Sequence, residues 1–224
     1  DDFKRSKYPD VILPFTVLRR LDCVLAPTKG DVLARYDEFK DEFDNLDGIL
    51  RKASGHSFYN TSRFDFRKLL DDPANIQKNL IDYINGFSDN MRDVLDRFKL
   101  RNNIQILHEK DSLFPLIQKF ASDDVDLHPD RVSNLQMGYI FEELIRKFNE
   151  QNNENPGEHF TPREIIRLMV NLMLAGDEEM LSQEHIIKKV LDPACGTGGM
   201  LSVTKEQITS ELNSTAEIWL YGQE

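Results

Sequence analysis

The chain has 224 residues, of which 40% are hydrophobic, enough for at least one buried core and too many for a disordered chain. Its formal net charge of −11 argues against a protein that holds DNA by itself through phosphate neutralisation. No apolar run reaches the roughly 18 residues of a membrane span, and the charged first residues lack the apolar core of a signal peptide. We therefore expect a globular, cytoplasmic protein without a membrane segment.

Cysteine and histidine are too few and too scattered to suggest a disulfide framework or a metal site. The two cysteines, Cys23 and Cys195, lie far apart and form no CxxC pair. The five histidines form no HExxH motif and no other ligand pair at helical spacing. The sequence predicts two reduced thiols and no bound metal.

Most of the chain carries apolar residues at the three- and four-residue spacing of helices that pack against neighbours. The spacing predicts helices over 11–25, 32–50, 76–98, 113–120 and 135–148. Pro14 is expected in the first turn of the first helix, and Asp72-Pro73 opens the third despite Gly86. The segments 54–66 and 122–130 predict a loop or short hairpin and a polar connection.

The polar stretch Asn149–Gly157 predicts a domain boundary, with a mainly α-helical domain over 1–156 and a different pattern over 157–224. The second part predicts, in order, a helix over 162–175, a strand over 186–191, a helix over 200–212 and a strand over 217–221. A strand, a crossover helix and a second strand indicate the start of an α/β domain.

A glycine-rich turn joins the first predicted strand to its helix. Gly196, Gly198 and Gly199 allow a ligand to approach the backbone closely, beside the amide groups of a helix N-terminus. Glu224, at the end of the next strand, stands where an acidic residue holds a ribose in nucleotide-binding α/β folds. The dinucleotide pattern GxGxxG is incomplete, because Leu201 occupies the position of its third glycine.

The segment Asp192-Pro-Ala-Cys-Gly-Thr-Gly-Gly-Met200 resembles the DPxxGxGG motif of amino-methylating DNA methyltransferases. The resemblance implies a Rossmann-like class I methyltransferase domain that begins here and uses S-adenosyl-L-methionine. In that family the acid and the glycine turn hold the methionine portion of the cofactor, and the acid after the second strand holds the ribose. The positions implied are Asp192, Pro193, Gly196, Thr197, Gly198, Gly199 and Glu224.

The segment Gly157-Glu-His-Phe-Thr-Pro-Arg-Glu164 supports two compatible interpretations. Thr161 as the N-cap, Pro162 as the first helical residue and Glu164 as its partner would form a capping box, which requires no function. The segment also resembles the upstream G-x-x-[FY]-T-P cofactor motif of the same methyltransferases. This resemblance implies that the loop closes over the methionine end of the cofactor through Glu158, His159, Phe160, Thr161, Pro162 and Arg163.

The N-terminal segment Val11–Asp22 resembles the entry helix of the modification (M) subunits of type I restriction–modification systems. This narrower resemblance implies adenine-N6 methylation, a specificity (S) subunit, a restriction (R) subunit and double-stranded DNA within the complex. It also implies that the helical domain docks the specificity subunit and helps enclose DNA. Arg19-Arg20 and Lys99 with Arg101 are candidate phosphate contacts in such an assembly.

The family's (N/D)PP(F/Y) motif, which binds a flipped adenine, occurs nowhere in the chain. We therefore expect no catalytic residue here, no activity of this chain alone, and an adenine-binding motif beyond Glu224. Two alternatives stay open: a helical interaction module with a vestigial cofactor site, and a nicotinamide-dependent α/β enzyme. Thermal shifts with adenosylmethionine and with NAD would separate the three.

Overall fold

The computed structural model describes residues 8–151, 161–196 and 198–223, which are mostly helical with one two-stranded sheet. The chain divides into two compact units, Asp1–Asn153 and Glu154–Glu224, inside the polar stretch noted above. The helices of the first unit are α1 (Pro9–Leu25), α2 (Lys29–Phe39), α3 (Asp47–Ser54), α4 (Ile76–Asn85), α5 (Asp89–Arg97), α6 (Leu100–Glu109), α7 (Leu113–Ala121) and α8 (Asn134–Gln151). The second unit contains α9 (Arg163–Leu174), α10 (Glu178–Leu181), β1 (Ile187–Asp192), α11 (Gly199–Gln207) and β2 (Glu217–Gly222).

Helix α1 lies at the centre of the first unit, against α6, α7 and α8. Its predicted stripe is confirmed, because all of its members belong to the main core: Val11, Phe15, Leu18, Leu21 and Leu25. Phe15 is fully buried, and its ring centroid lies 5.7 Å from that of Phe120 on α7. The apolar spacing therefore identified the helix around which this unit is built.

The predicted place of Pro14 in the first turn of α1 is wrong, since the helix begins at Pro9 and contains Pro14 in its interior. A proline has no N–H with which to bond the carbonyl four residues earlier, here that of Asp10. The side-chain amide of Asn103 on α6 donates to this carbonyl at 2.8 Å. A contact distant in sequence thus supplies the hydrogen bond that Pro14 cannot make.

The prediction of one helix over 32–50 is wrong, because α2 ends at Phe39 and α3 begins only at Asp47. The Asn45 side chain accepts a hydrogen bond from the Asp47 N–H at 2.9 Å, an arrangement that competes with helix continuation. Phe43, expected on the buried stripe, is 52% exposed. The apolar spacing in the sequence thus continues through a polar turn, although the helix itself is interrupted there.

The prediction of one helix over 76–98 is also wrong, because the chain leaves helical geometry between α4 and α5. The interruption is at Gly86, where an added Cβ would lie 2.5 Å from the backbone nitrogen of Ser62. The Gly86 carbonyl accepts from the Thr61 N–H at 2.8 Å, and Asn60 pairs with Phe87 in an isolated antiparallel bridge. The loop over 54–66, which the sequence predicted correctly, passes beside Gly86 and separates α4 from α5.

Helix α6 was not predicted from the sequence, although it buries Leu100, Ile104 and Leu107 in the main core. The predicted helices corresponding to α7 and α8 are confirmed. Between them, the expected polar connection contains only a short 3-10 turn over Asp123–Val125. The first unit is therefore a helical assembly with one irregular crossing loop.

The second unit confirms the predicted strand, helix and strand. β1 and β2 pair in parallel with Ile187 opposite Glu217 and Asp192 opposite Gly222, and α11 lies between them in sequence. A π-helical turn over Ile208–Leu212 extends α11 to its predicted end. A small core joins α9, α11 and one face of the sheet, and its buried members are Ile166, Val170, Leu174, Leu181, Val203, Ile208 and Ile218.

Candidate functional site

The glycine turn begins where β1 ends, at Asp192. The Asp192 carboxylate accepts a hydrogen bond from the Ala194 N–H at 3.1 Å, which turns the chain away from the strand. Gly196 and Gly198 have φ angles of +49° and +79°, a conformation that side chains disfavour. The Gly198 N–H donates to the Cys195 carbonyl at 2.7 Å, and α11 starts at the next residue. These glycines are therefore required by the backbone of the turn.

The glycines of the turn face different surroundings. A Cβ added at Gly196 or Gly198 would meet no atom of the described residues within 4 Å, so within this part of the chain the backbone of the turn is open. A Cβ added at Gly199 would lie 2.6 Å from Cδ1 of Ile166. Gly199 thus allows α11 and α9 to pack closely, a reason for glycine that the sequence interpretation did not include.

The end of β2 is joined to the same turn. The Cys195 N–H donates to the Gln223 carbonyl at 2.9 Å, and the Gln223 N–H donates to the Asp192 carbonyl at 2.9 Å. A Cβ at Gly222 would lie 2.8 Å from the Cys195 sulfur. Sequence reasoning missed Gly222, Gln223 and Cys195 as parts of this arrangement. The available signal was Gly222 at the end of the second strand, two residues before Glu224.

The upstream motif reaches the turn through α9. The N-cap position of α9 is Pro162, whose ψ of 141° is extended, and its carbonyl accepts from the Ile166 N–H at 3.0 Å. Ile166, which contacts Gly199, therefore lies one helical turn after Pro162. The structure thus connects α9 to the glycine turn through Ile166, which follows Pro162 by one helical turn.

The capping box expected at Thr161 is wrong. The helix begins one residue later than expected, so Thr161 precedes the N-cap Pro162, which makes no side-chain capping hydrogen bond. Because the N-cap is Pro162, Glu164 becomes the second helical residue and is displaced from the position that would complete a capping box. The predicted site residues Glu158, His159, Phe160, Thr197 and Glu224 lie outside the described residues.

Of the candidate phosphate contacts Arg19 and Arg20, Arg19 is buried, whereas Arg20 is partly exposed and stays a prediction. Arg19 is 7% exposed, and its Nε donates to the Val125 carbonyl at 3.0 Å. The guanidinium of Arg20 donates to the carbonyls of Leu127 and Val132, the latter at 2.7 Å. Both side chains hydrogen-bond α1 to the segment that precedes α8, so their donors are used inside the first unit.

The second cationic pair, Lys99 and Arg101, is not contradicted as a phosphate contact. Arg101 donates to the Asn85 side chain at 2.6 Å and to the Asp96 carboxylate at 3.5 Å, both at the surface. Lys99 is exposed and has a φ of +51° at the junction of α5 and α6. These two residues stay predicted contacts in an assembly with DNA.

In the part of the chain that the structure describes, no helix combines the length and the apolar character needed to traverse a lipid bilayer. Over the same residues, no three His, Cys, Asp or Glu side chains are grouped so that they could hold a metal ion.

Two family models match the chain. The HsdM N-terminal domain matches residues 1–120, and N-6 DNA Methylase matches residues 133–224. The methylase subunit of the type I restriction enzyme EcoEI of Escherichia coli is 30% identical over 108 residues, which are 46% of this chain. The MjaVII methylase subunit of Methanocaldococcus jannaschii is 28% identical over 146 residues, 65% of this chain.

The HindI methylase subunit of Haemophilus influenzae is 28% identical over 88 residues, 39% of this chain. The chain spans about a fifth of these curated relatives, since the matched parts are 18% of the HindI, 20% of the EcoEI and 23% of the MjaVII subunit. No solved structure matches the chain significantly.

Proposed function

The chain belongs to the HsdM family of methylase (M) subunits of type I restriction–modification systems, and we propose its function on that basis. The proposed activity of the whole subunit is site-specific methylation of DNA at adenine N6. The methyl group passes from the sulfonium of S-adenosyl-L-methionine to the exocyclic amine, which loses a proton. A methyltransferase is the function that the motifs and the family support together.

The open glycine turn is the observation that carries this proposal. Among the residues that the structure describes, none places an atom within 4 Å of a Cβ added at Gly196 or Gly198, so they leave these peptide units open to a ligand. The first amides of α11 have no partner within the helix and suit an electronegative ligand. Asp192 stands at the start of the turn, where a carboxylate can accept a hydrogen bond from the cofactor's ammonium group.

We assign the remaining cofactor contacts by the family resemblance. Glu158, His159, Phe160, Thr161, Pro162 and Arg163 would close over the methionine end, and Glu224 would hold the ribose hydroxyls. The close approach of Ile166, one helical turn after Pro162, to Gly199 supports a shared site for the two motifs. Such a pocket forms a Rossmann-like arrangement, with the ligand at the carboxyl ends of the strands.

The chain by itself is proposed to be inactive, because it contains no (N/D)PP(F/Y) segment with which to bind a flipped adenine. Its net charge of −11 also supports a need for partners in DNA binding. A specificity subunit would read the DNA sequence, and a restriction subunit would join the same complex. The helical unit would dock the specificity subunit and help enclose the duplex.

The test measures adenosylmethionine binding and DNA methylation by the full-length subunit assembled with its specificity subunit. Gly198→Asp should abolish binding of the cofactor, because it places a charged side chain where the backbone approaches the ligand. Gly55→Asp is the matched control, since Gly55 has a similar φ of +70° and open surroundings in the first unit.

The wild-type complex and the Gly55→Asp complex should both form N6-methyladenine. Equal cofactor affinity of the Gly198→Asp and Gly55→Asp proteins would show that the turn does not hold adenosylmethionine. A response to NAD instead would favour a nicotinamide enzyme, and no response to either ligand would favour an interaction module.

A further inference from the structure

Lys29, the first residue of α2, extends into a polar cluster of the helical unit that the proposed methyltransferase does not use. Its Nζ donates to Oδ1 of Asn60 at 2.7 Å and lies 5.6 Å from the centre of the Tyr83 ring. Asn60 is held in turn, because its Nδ2 donates to the Tyr83 carbonyl at 2.8 Å and its Oδ1 accepts from the Ser62 N–H. The lysine amine is therefore positioned by a buried hydrogen-bond network.

This amine borders a cavity of about 270 Å³ between α1, α2 and the crossing loop. Its apolar lining includes Leu25 and Leu33, and its polar lining includes Asp22 and Asp65. The exposed lining residues, which mark the mouth, are Ala26, Gly30 and Lys68. A small molecule from solvent can thus reach the Lys29 amine.

The nearby carboxylates are engaged by other groups. Asp22 pairs with Arg19 at 2.9 Å and accepts from the Tyr83 hydroxyl at 3.0 Å, and Asp65 pairs with Lys68 at 3.3 Å. Among the described residues, no carboxylate forms an ion pair with Lys29. The charged and titratable groups around the amine include Asp22 on α1, Asp65 and Lys68 in the segment 55–75, and Asp82 and Tyr83 on α4.

Burial removes solvation from the ammonium form of Lys29 and lowers its pKa to about 8, against the raising effect of the acidic neighbours. Half of the amine is then uncharged near pH 8, whereas about 0.4% of an ordinary lysine is uncharged there. Only the uncharged amine has the lone pair that attacks an electrophile. Position, access and protonation state therefore agree.

We propose that Lys29 is an acylation site for small, uncharged acyl groups carried as thioesters. The amine nitrogen attacks the thioester carbonyl, a carbon–nitrogen bond forms, and the carbon–sulfur bond breaks. The thiol departs with the amine proton. The resulting amide is neutral, so the modification removes a charge whose burial is unfavourable, and it keeps an N–H that can donate to Asn60.

The cavity selects the class of acyl group. Asp22 and Asp65 line it, so a carboxylated acyl chain or a carbamate formed with carbon dioxide would place a negative charge beside them. A short aliphatic acyl group instead meets Leu25 and Leu33. A neutral two-carbon group therefore fits the electrostatics and the volume of the cavity.

The experiment treats the full chain with the neutral thioester N,S-diacetylcysteamine and measures acetylation of each lysine by peptide mass spectrometry from pH 6 to pH 10. At pH 8, Lys29 should react at least about tenfold faster than the exposed Lys52, because its uncharged fraction is far larger. Its rate should level off above about pH 8. A Lys29 rate equal to or below that of Lys52 would overturn the proposal.

Gly30→Leu tests access through the cavity without changing the amine. An added Cβ at Gly30 meets no atom within 4 Å, so the variant should fold, which a thermal melt by circular dichroism verifies. Acetylation of Lys29 should fall severalfold while that of Lys52 stays constant. If the folded variant is acetylated at Lys29 as fast as the wild type, the cavity is not the route to the amine.

Discussion

The two units of the chain bury their apolar residues to very different degrees. The helical unit surrounds α1 with a continuous core in which residues such as Phe15, Leu80 and Ile104 are fully buried. In the second unit, α9 buries Ile166, Val170 and Leu174 but leaves its other apolar residues exposed. Those exposed residues are Ile165, Leu168, Met169, Leu172 and Met173.

The sheet of the second unit shows the same imbalance. Val190 and Ile218 face the helices, whereas the opposite face exposes Ile187, Leu191, Trp219 and Tyr221. Parallel sheets are normally covered on both faces, and a helix that is apolar all round is normally buried. The first unit therefore has its own sufficient core, whereas the described part of the second unit has apolar surfaces suited to further packing. We therefore expect the second unit to be the less stable one.

Of the changes considered, Phe15→Ala is expected to produce the largest difference in stability between the two units. It leaves a cavity beside Phe120 in the main core and should destabilise the helical unit by about 3–5 kcal/mol. The chain's single tryptophan, Trp219, lies in the second unit, so its fluorescence reports that unit alone. Urea unfolding should show a lower midpoint by circular dichroism and an unchanged fluorescence midpoint. Equal shifts of both midpoints would contradict the expectation that Phe15→Ala destabilises the helical unit alone.

Arg20→Met should have a smaller effect on the same unit, about 2 kcal/mol, by removing the charged donor shared by the Leu127 and Val132 carbonyls. Arg35→Met is a control, because Arg35 forms only an exposed pair with Glu38. The measurement is urea unfolding by circular dichroism. A loss no greater than that of the control would mean that the hydrogen bonds of Arg20 do not stabilise the segment before α8.

Gly199→Ala should have the smallest effect, about 1 kcal/mol, and should act on the second unit. The new Cβ meets Cδ1 of Ile166, whereas the gain in helix propensity offsets part of this overpacking. Ile166→Val removes that Cδ1, so the double variant should be more stable than the two separate losses predict. Trp219 fluorescence in urea measures each variant.

Gly176→Ala serves as a control for this series, because its added Cβ meets nothing within 4 Å. Strict additivity of the Gly199→Ala and Ile166→Val losses would show that the close approach of α9 and α11 does not limit the packing of the second unit.

The sequence predicted the structure where an element depends on residues close to it in the chain, and failed where the element depends on residues far away in the chain. Apolar spacing predicted α1 and α7, where a single buried stripe continues without interruption. It failed at Gly86, because the spacing persists on both sides while Gly86 and Phe87 pair with the loop residues Thr61 and Asn60. It also missed α6, whose place in the core depends on neighbours that lie elsewhere in the sequence.

By itself the sequence determined the features that depend on neighbouring residues: a helical first part, a strand–turn–helix–strand second part, and glycines where φ is positive at Gly196 and Gly198. Only the tertiary structure decided that Arg19 and Arg20 serve the fold and that Asn103 satisfies the carbonyl left by Pro14. Hydrogen bonds and close approaches of this kind join residues far apart in the chain. Local periodicity carries no record of them, because it depends on burial along one element and not on which partner covers it.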